Sequence, residues 1–366
     1  MSDTLQPPIP VVVAGCGAIT KFFYASALGW LETQGLVRVA ALCDPNEPSR
    51  AGIHARFPHA LSLARFEEAP LAPGTVVVVA TPPKLHATQT LHALEQGCGV
   101  LCEKPMAASL ADAEAMVAAA ARTNRPLAIG LYRRFFRAAR VIKNLCLSQA
   151  LGPVLSYEVE EGGPFRWDAA SDSFFRREVT PGGVLYDTGV HTLDLLLWWF
   201  GEPATIDYRD DAAGGLEANS LLRMTHAAGF GGTVRLSRDW ATRNLFRINF
   251  AMGSVAFSPG QAGRISLRLN GNDTMLDSEI LTMADDRLPV PTVRDPEGSP
   301  QAFIHQLINI VQAVRDGTPL HIPAPEGLRS LRLIEACYRA RRPLEQPWLT
   351  PAETDGYVRL QKGASV

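Results

Sequence analysis

At 366 residues, with 46% hydrophobic and 20% charged residues, the chain has ordinary soluble globular composition and the length for two domains. A formal net charge of -2 without a basic run argues against nucleic acid or an anionic membrane as the main partner. The longest apolar stretches, such as VVVVA (76–80) and LLLWWF (195–200), are too short to span a bilayer, so no membrane partner is expected.

MSDTLQPPIP lacks the basic-then-apolar order of a secretory signal, and a cytoplasmic location is expected. The six cysteines (16, 43, 98, 102, 146, 337) form no C-x-x-C and read as reduced core residues. The eight histidines form no H-x-x-x-H or H-E-x-x-H pair, so no metal is expected, and a serine hydrolase would need a G-x-S-x-G elbow that is not present.

In chain order, VVVAG (11–15) is an apolar strand followed by a turn, and residues 18–33 can form a helix. VRVAALCD (37–44) is a second strand, with helix to about Arg56. TVVVVATPP (75–83) is a fully apolar strand whose two prolines should block a helix there. Residues 86–96 are helical, with Gly97 as the stop. GVLCE (99–103) is a strand, Ser109 can cap the helix ADAEAMVAAAAR, and PLAIG (126–130) is a further strand. Continuous apolar strands alternating with helices predict an α/β, doubly wound parallel sheet over residues 1–130.

Beyond residue 130 the texture changes. Helical YRRFFRAARVIKNLCLSQ (132–149) leads into PVLSYEVEEG, which alternates with period two. After the helical VHTLDLLLWWFG come short alternating segments: SLLRMTHAA, GTVRLSRDW, FRINFAM and ISLRLN. Residues 131–366 therefore predict an α+β domain with a mostly antiparallel sheet, one face apolar and the other polar or covered by helix. Two late helices (301–317 and 326–342) should pack back on the body, and the segment from Leu344 has no clear placement.

AGCGAIT (14–20) follows the first strand and opens a helix. Gly15 permits the tight turn, and Gly17 lets the backbone of Cys16, Gly17, Ala18 and Ile19 approach a pyrophosphate at a helix N-terminus. Thr20 stands where the fuller fingerprint has its third glycine, and a lone G-x-G also suits a plain strand–helix turn. Asp44 ends the second strand, 29 positions after Gly15, where a carboxylate would bind ribose hydroxyls and repel a 2′-phosphate. This favours NAD; nearby Arg50 keeps NADP open, and Asp44 as a helix cap is the plainer alternative.

Glu103 and Lys104 end a core strand, the rim where ligands bind an open parallel sheet. Lys104 can supply a positive donor to a reacting oxygen, and Pro105 limits how the chain leaves the strand. Asp187 and His191, four apart, share one face of a helix. His191 suits proton transfer near neutral pH, Asp187 could orient it or hold a substrate hydroxyl, and Asp194 could bond the other ring nitrogen. The plainer readings are an exposed Glu–Lys pair, a helix cap at Asp187 and a satisfied core histidine. Tyr132, Arg134, Arg166 and Trp167 could recognise a sugar ring or a carboxylate, and are as readily structural. Trp198 and Trp199 read as core or interface.

Over most of its length the chain resembles the Gfo/Idh/MocA family, the glucose–fructose oxidoreductase and inositol dehydrogenase relatives. The resemblance rests on AGCGAIT, ATPPKLHATQTLHALEQGCGVLCEKPMA (80–107), GLYRRF (130–135) and GGVLYDTGVHTLDLLLWWFG (182–201). KFFYASAL (21–28) departs from it by lacking the histidine common there. The resemblance implies a Rossmann domain followed by a domain whose large open sheet mediates oligomers, hence a homo-oligomer (dimer or tetramer). It implies NAD(P)-dependent hydride transfer on a sugar, cyclitol or related polyol. It places Thr81, Pro82, His86 and Glu103 beside the cofactor and gives Lys104, Asp187 and His191 catalytic roles. Two alternatives stay open: a glycosidase using transient oxidation and elimination, and a non-catalytic dinucleotide-binding regulator.

Overall fold

A computed structural model of the chain describes residues 7–166, 175–177, 180–272, 275–279 and 299–363. Its first sheet has the spatial order β3-β2-β1-β4-β5-β6 and is parallel throughout. The strands are β1 (Ile9–Ala14), β2 (Val37–Cys43), β3 (Leu61–Leu63), β4 (Val76–Val79), β5 (Gly99–Cys102) and β6 (Leu127–Ile129). Val11, Val12 and Val13 and all of β4 are fully buried. Helices cover both faces, which is why these strands are apolar without alternation. The short β3 carries no such run and is invisible in the pattern.

A π-helical turn (Thr20–Tyr24) leads into α1 (Ala25–Thr33), and α2 (Glu47–His54), α3 (Pro83–Glu95) and α4 (Leu110–Thr123) follow. The predicted block at the two prolines does not occur. Helix α3 begins on Pro83, because proline at the first helical position gives up only an amide that has no partner there. Ser109 caps α4 as expected, its Oγ accepting from the Asp112 amide at 3.1 Å. The strand order reverses beside β1, whose neighbours β2 and β4 lie on opposite sides. This leaves a crevice past the ends of β1 and β4, where open α/β sheets bind ligands.

The second sheet has nine strands in the order β14-β13-β12-β11-β7-β10-β9-β8-β15. They are β7 (Val154–Gly162), β8 (Thr205–Asp210), β9 (Asn219–Thr225), β10 (Gly231–Ser237), β11 (Leu245–Phe250), β12 (Gly253–Phe257), β13 (Arg264–Leu269), β14 (Leu276–Glu279) and β15 (Arg342–Pro343). It is antiparallel except where β10 joins β7 and β15 joins β8. Tyr157, Val159, Leu222, Met224, Val234, Leu236, Phe246 and Ile248 alternate onto one buried face. Glu158, Glu160, Arg223, Arg235 and Arg247 fall on the opposite, more open face. That period-two split is the pattern expected from the sequence.

Helices α5 (Arg137–Ser148), α6 (Val190–Phe200) and α8 (Ala324–Arg339) belong with the buried face, and α9 (Pro351–Gly363) closes the chain. Helix α7 (Ser299–Asp316) does not. Its Phe303, Ile304, Leu307, Ile310 and Val311 share a core with Val11, Val13, Val76 and Val78 of the first sheet. No helix among the described residues is long and apolar enough to cross a membrane.

Candidate active site

The crevice is built around Gly15. Its φ of +97° is open to glycine at little steric cost, and a Cβ there would collide with the carbonyl oxygen of Ala80 past β4. At Gly17 an added Cβ would meet nothing, so the backbone there faces open space. Cys16 contributes only its backbone: its side chain is buried, which pushes the thiol up to about 12, and its amide donates to Asp44 Oδ2 at 2.7 Å. Asp44 Oδ1 accepts from the Asn46 amide at 2.8 Å. Arg50 bonds the Asp44 carbonyl oxygen and Ser62 Oγ (2.9 Å) rather than the Asp44 carboxylate. Ala18 and Ile19, half-buried, open the helix that follows the loop.

Thr20 explains its departure from the glycine fingerprint. Its buried hydroxyl donates to the Gly15 carbonyl at 2.7 Å and ties the turn to the helix. The π-helical turn that follows carries one extra residue relative to an α-helix. It brings Tyr24 inward, where the phenol donates to Glu103 Oε1 at 2.6 Å and accepts from Gln306 Nε2 at 2.9 Å. The sequence offered no sign of this link across 79 residues.

Glu103 is therefore not turned toward solvent. Its carboxylate is buried, meeting Tyr24 on one oxygen and the Lys104 amide on the other at 3.1 Å. Burial pushes its pKa up, against the opposing bond from Tyr24. Gly130 of the GLYRRF stretch leaves the room, since a Cβ would sit 2.8 Å from Glu103 Oε1. His86 is also corrected. Both ring nitrogens lie on backbone carbonyls, Nδ1 at 2.9 Å from Pro105 and Nε2 at 2.7 Å from Thr81, and the ring is buried. It braces the two loops together rather than facing a ligand, and burial lowers its pKa. Thr81 Oγ1 donates to Gln89 at 2.6 Å, and Pro82 is exposed on the crevice side of α3.

Lys104 reaches across to the second sheet's lobe. Its Nζ donates to Asp187 Oδ1 and to the Asp187 carbonyl, each at 3.0 Å. Asp187 sits in a π-helical turn (Leu185–Gly189) that runs into α6. Arg238, immediately after β10, approaches Asp187 Oδ2 at 3.3 Å and lies over the Phe165 ring. Burial raises the Asp187 pKa, but the Lys104 and Arg238 charges outweigh it and hold the carboxyl below its usual range. His191 follows on α6, buried, with the Tyr132 ring edge-on at 4.9 Å. Its Nδ1 is buried without a hydrogen-bond partner among the described residues. Burial first, then the Lys104 and Arg133 charges, hold His191 well below 6.5, so it is neutral at pH 7.

Three expectations fail here. Asp187 does not orient His191, because it pairs with Lys104 and Arg238. Asp194 does not reach the imidazole: it takes a bidentate fork from Arg134, Nε to Oδ2 at 2.9 Å and Nη2 to Oδ1 at 2.6 Å. Arg134 is thereby removed as a substrate group, since it also bonds Glu326 at 2.7 Å and is itself buried. The charged neighbour missed was Arg133, which forks onto Glu161 at 2.8 and 2.5 Å while Thr192 Oγ1 donates to the same carboxylate at 2.6 Å. Arg166 is exposed, and Trp167 lies outside the described residues. Trp199 is core, its indole donating to the Ala139 carbonyl, whereas Trp198 is half-buried between Arg134 and Lys143. A cavity of about 470 Å³ near Trp198 is bordered by Arg134, Lys143, Glu326 and Arg329 and contains none of Lys104, Asp187 or His191.

Residues 9–131 match the oxidoreductase family model with an NAD-binding Rossmann fold, and residues 139–256 match the Gfo/Idh/MocA C-terminal domain. The chain belongs to the Gfo/Idh/MocA family. This Gfo/Idh/MocA protein is 26% identical to D-apiose dehydrogenase of Paraburkholderia graminis over 357 residues, 90% of this chain and 86% of that protein. It is 27% identical to D-glucoside 3-dehydrogenase of Escherichia coli over 214 residues, 56% of this chain and 57% of that protein. Its fold matches levoglucosan dehydrogenase, solved with NADH and levoglucosan, at TM-score 0.79 and 19% identity over 92% of this chain and 97% of that one. The Gfo/Idh/MocA protein is thus an NAD-binding oxidoreductase by family, and its crevice fits the dinucleotide. Gly15 and Gly17 leave a backbone cradle at a helix N-terminus for the pyrophosphate, and Asp44 stands fixed at the strand end for a ribose.

Proposed function

We propose that the protein is an NAD-dependent dehydrogenase or reductase working on a hydroxyl or keto carbon of a sugar, cyclitol or related polyol, with NADP as the alternative cofactor. The observation that carries the reading is the 3.0 Å pair between Lys104 of the first lobe and Asp187 of the second, with His191 following on the same helix. In this reading residues 1–130 hold the nucleotide and residues 131–366 the substrate. Gly15, Cys16, Gly17, Ala18 and Ile19 cradle it by backbone, Asp44 takes a ribose, and Thr81 and Pro82 border it. When bound, the nicotinamide supplies the hydride acceptor or donor.

The chain's own residues handle the proton. An ammonium has three N–H donors, and Lys104 gives two contacts to Asp187, leaving one for the reacting oxygen of the substrate. That donor stabilises the negative charge that develops on the oxygen when its proton leaves. His191, kept neutral by burial and by the Lys104 and Arg133 charges, takes that proton: the O–H bond breaks as an N–H bond forms. In the reverse direction it returns the proton to the carbonyl oxygen. Asp187 holds the ammonium in place, and Tyr132 packs the imidazole from its edge.

Family resemblance and the open face of the nine-stranded sheet support a homo-oligomer, dimer or tetramer. All six cysteines are free thiols, five of them buried, which supports a cytoplasmic location. The deciding experiment incubates purified protein with NAD⁺ and a panel of aldoses, glucosides and inositols and follows reduced nicotinamide by absorbance. Substrate-dependent reduction is expected; a protein that neither binds NADH nor reduces NAD⁺ with any of them overturns the reading.

Cofactor choice gives a separate prediction. Asp44→Ser removes an ionised acceptor, a loss of about 1.5–3 kcal/mol, or about ten- to a hundredfold in the NADH dissociation constant. NADPH should weaken far less, because the carboxylate that repels its 2′-phosphate is gone. Fluorescence titration of both nucleotides checks this; equal losses for the two would show that Asp44 only shapes the loop.

A further inference from the structure

The helix that carries Asp187 and His191 begins against a carboxylate from a distant loop. Glu217, in the connection between β8 and β9, is 1% exposed. Its Oε1 accepts from the Gly183 amide at 3.0 Å, the Leu185 amide at 3.0 Å and the Tyr338 hydroxyl at 2.7 Å. Its own carbonyl oxygen accepts from the Val184 amide at 3.0 Å. Three successive amides at the start of this helix are thus satisfied by one residue, where a helix otherwise leaves its first donors without partners. The negative charge also complements the positive end of the helix dipole. The two glycines before the helix are there for this contact. A Cβ on Gly182 would strike the Tyr338 hydroxyl, and one on Gly183 would strike the Glu217 carbonyl.

The next turn follows directly, since the Asp187 amide bonds the Gly183 carbonyl at 3.0 Å. Behind Glu217, Arg341 Nη2 lies 3.4 Å from Oε2 and its Nε pairs with buried Asp210 at 2.7 Å. Gln361 of α9 holds the same Asp210 at 3.0 Å. The cap is therefore itself fixed from α8 and the last helix.

We infer that Glu217 is a positioning residue for the reaction, setting the first turn of the catalytic helix and through it the alignment of Asp187 with Lys104. It touches neither the nucleotide loop nor the proposed proton acceptor, and the inference rests on the proposed roles of Lys104, Asp187 and His191. The test uses the full-length protein with NAD⁺ and the sugar or inositol that gives the fastest turnover in the panel above. Glu217→Ala should lower kcat by about ten- to a hundredfold, the scale of one buried charge-assisted interaction. The NADH dissociation constant should stay within about twofold, because the nucleotide lobe is untouched. Glu217→Gln keeps an amide oxygen for the Gly183 and Leu185 N–H groups and should restore kcat to within about fivefold of wild type.

In a Lys104→Met background the same Glu217→Ala change should cost less than about twofold, since both act through one pair. Full kcat in folded, NADH-binding Glu217→Ala, or a loss that is additive with Lys104→Met, overturns the inference. Unchanged kcat in Lys104→Met alone instead overturns the assignment of the site. If Glu217→Ala is insoluble, Tyr338→Phe removes one of the three donors to Oε1 and should lower kcat about two- to fivefold; no change there overturns the inference equally.

Discussion

Lys104→Met is expected to lower kcat by about a thousandfold while leaving NADH binding within a fewfold of wild type. Methionine keeps the volume and removes the ammonium that links the two lobes at 3.0 Å. The residual activity carries the more specific test. His191 has its pKa depressed by burial first and by the Lys104 and Arg133 charges next. In the proposed role it must be neutral to accept a proton, so the acid limb of the wild-type pH–rate profile is expected below 6.5. Removing the Lys104 charge relieves one cause of the depression and raises the His191 pKa. The acid limb of the variant should therefore move to higher pH. A limb that stays in place would show that another group titrates; unchanged kcat would remove Lys104 from the chemistry.

The second large effect concerns stability. Arg134 and Asp194 form a fork that is nearly excluded from solvent, with side-chain exposures of 5% and 1%. Asp194→Ala leaves a buried guanidinium with Glu326 as its remaining carboxylate partner among the described residues, and should cost about 3–5 kcal/mol in unfolding free energy. The double variant Arg134→Met with Asp194→Leu removes both charges at similar volume and should recover most of that loss. Glu326 keeps Arg329 at 2.9 Å in that variant. Urea unfolding of the three proteins measures this. The double variant should also keep kcat and KM within about fivefold, because Arg134 and Asp194 bond each other and Glu326 rather than Lys104, Asp187 or His191. Loss of substrate binding in it would return Arg134 to the substrate-recognition role that its place in GLYRRF first suggested.

The contrast between Arg133 and Arg134 shows where sequence reading stops. Both are arginines in one short 3-10 turn, Tyr132–Phe135, and each finds a buried carboxylate, Glu161 or Asp194. Nothing local distinguishes them, because the partners lie 28 and 60 residues away. The parallel sheet was legible because it depends on apolar runs; the glycine loop and the Asp187–His191 pair were singled out by short spacings, and Lys104 was joined to that pair only through the family resemblance, 83 residues away from Asp187. Asp187 read as a support for His191 proved instead to face Lys104 and Arg238. Arg238 gave no signal beyond being one of two adjacent charges, with Asp239, after an alternating strand. Tyr24 was hidden by the π-helical turn, whose extra residue shifts every later side chain on the helix relative to an α-helical count. His86 looked like a ligand-facing group, and only the positions of the Thr81 and Pro105 carbonyls reveal a brace.

Helix α7 has a consequence for how the protein is made. Phe303, Ile304, Leu307 and Ile310 lie against the valines of β1 and β4, and Gln306 bonds Tyr24. A ribosome that has released only the first 130 residues has delivered every strand of the parallel sheet but not the helix that covers part of one face. Those valines must wait, wet, until the chain has emerged past Asp316, the end of α7. The nucleotide lobe is thus completed only after strands β7 to β14 of the second sheet have been made, and a fragment cut at the end of β6 would expose an apolar surface that invites aggregation.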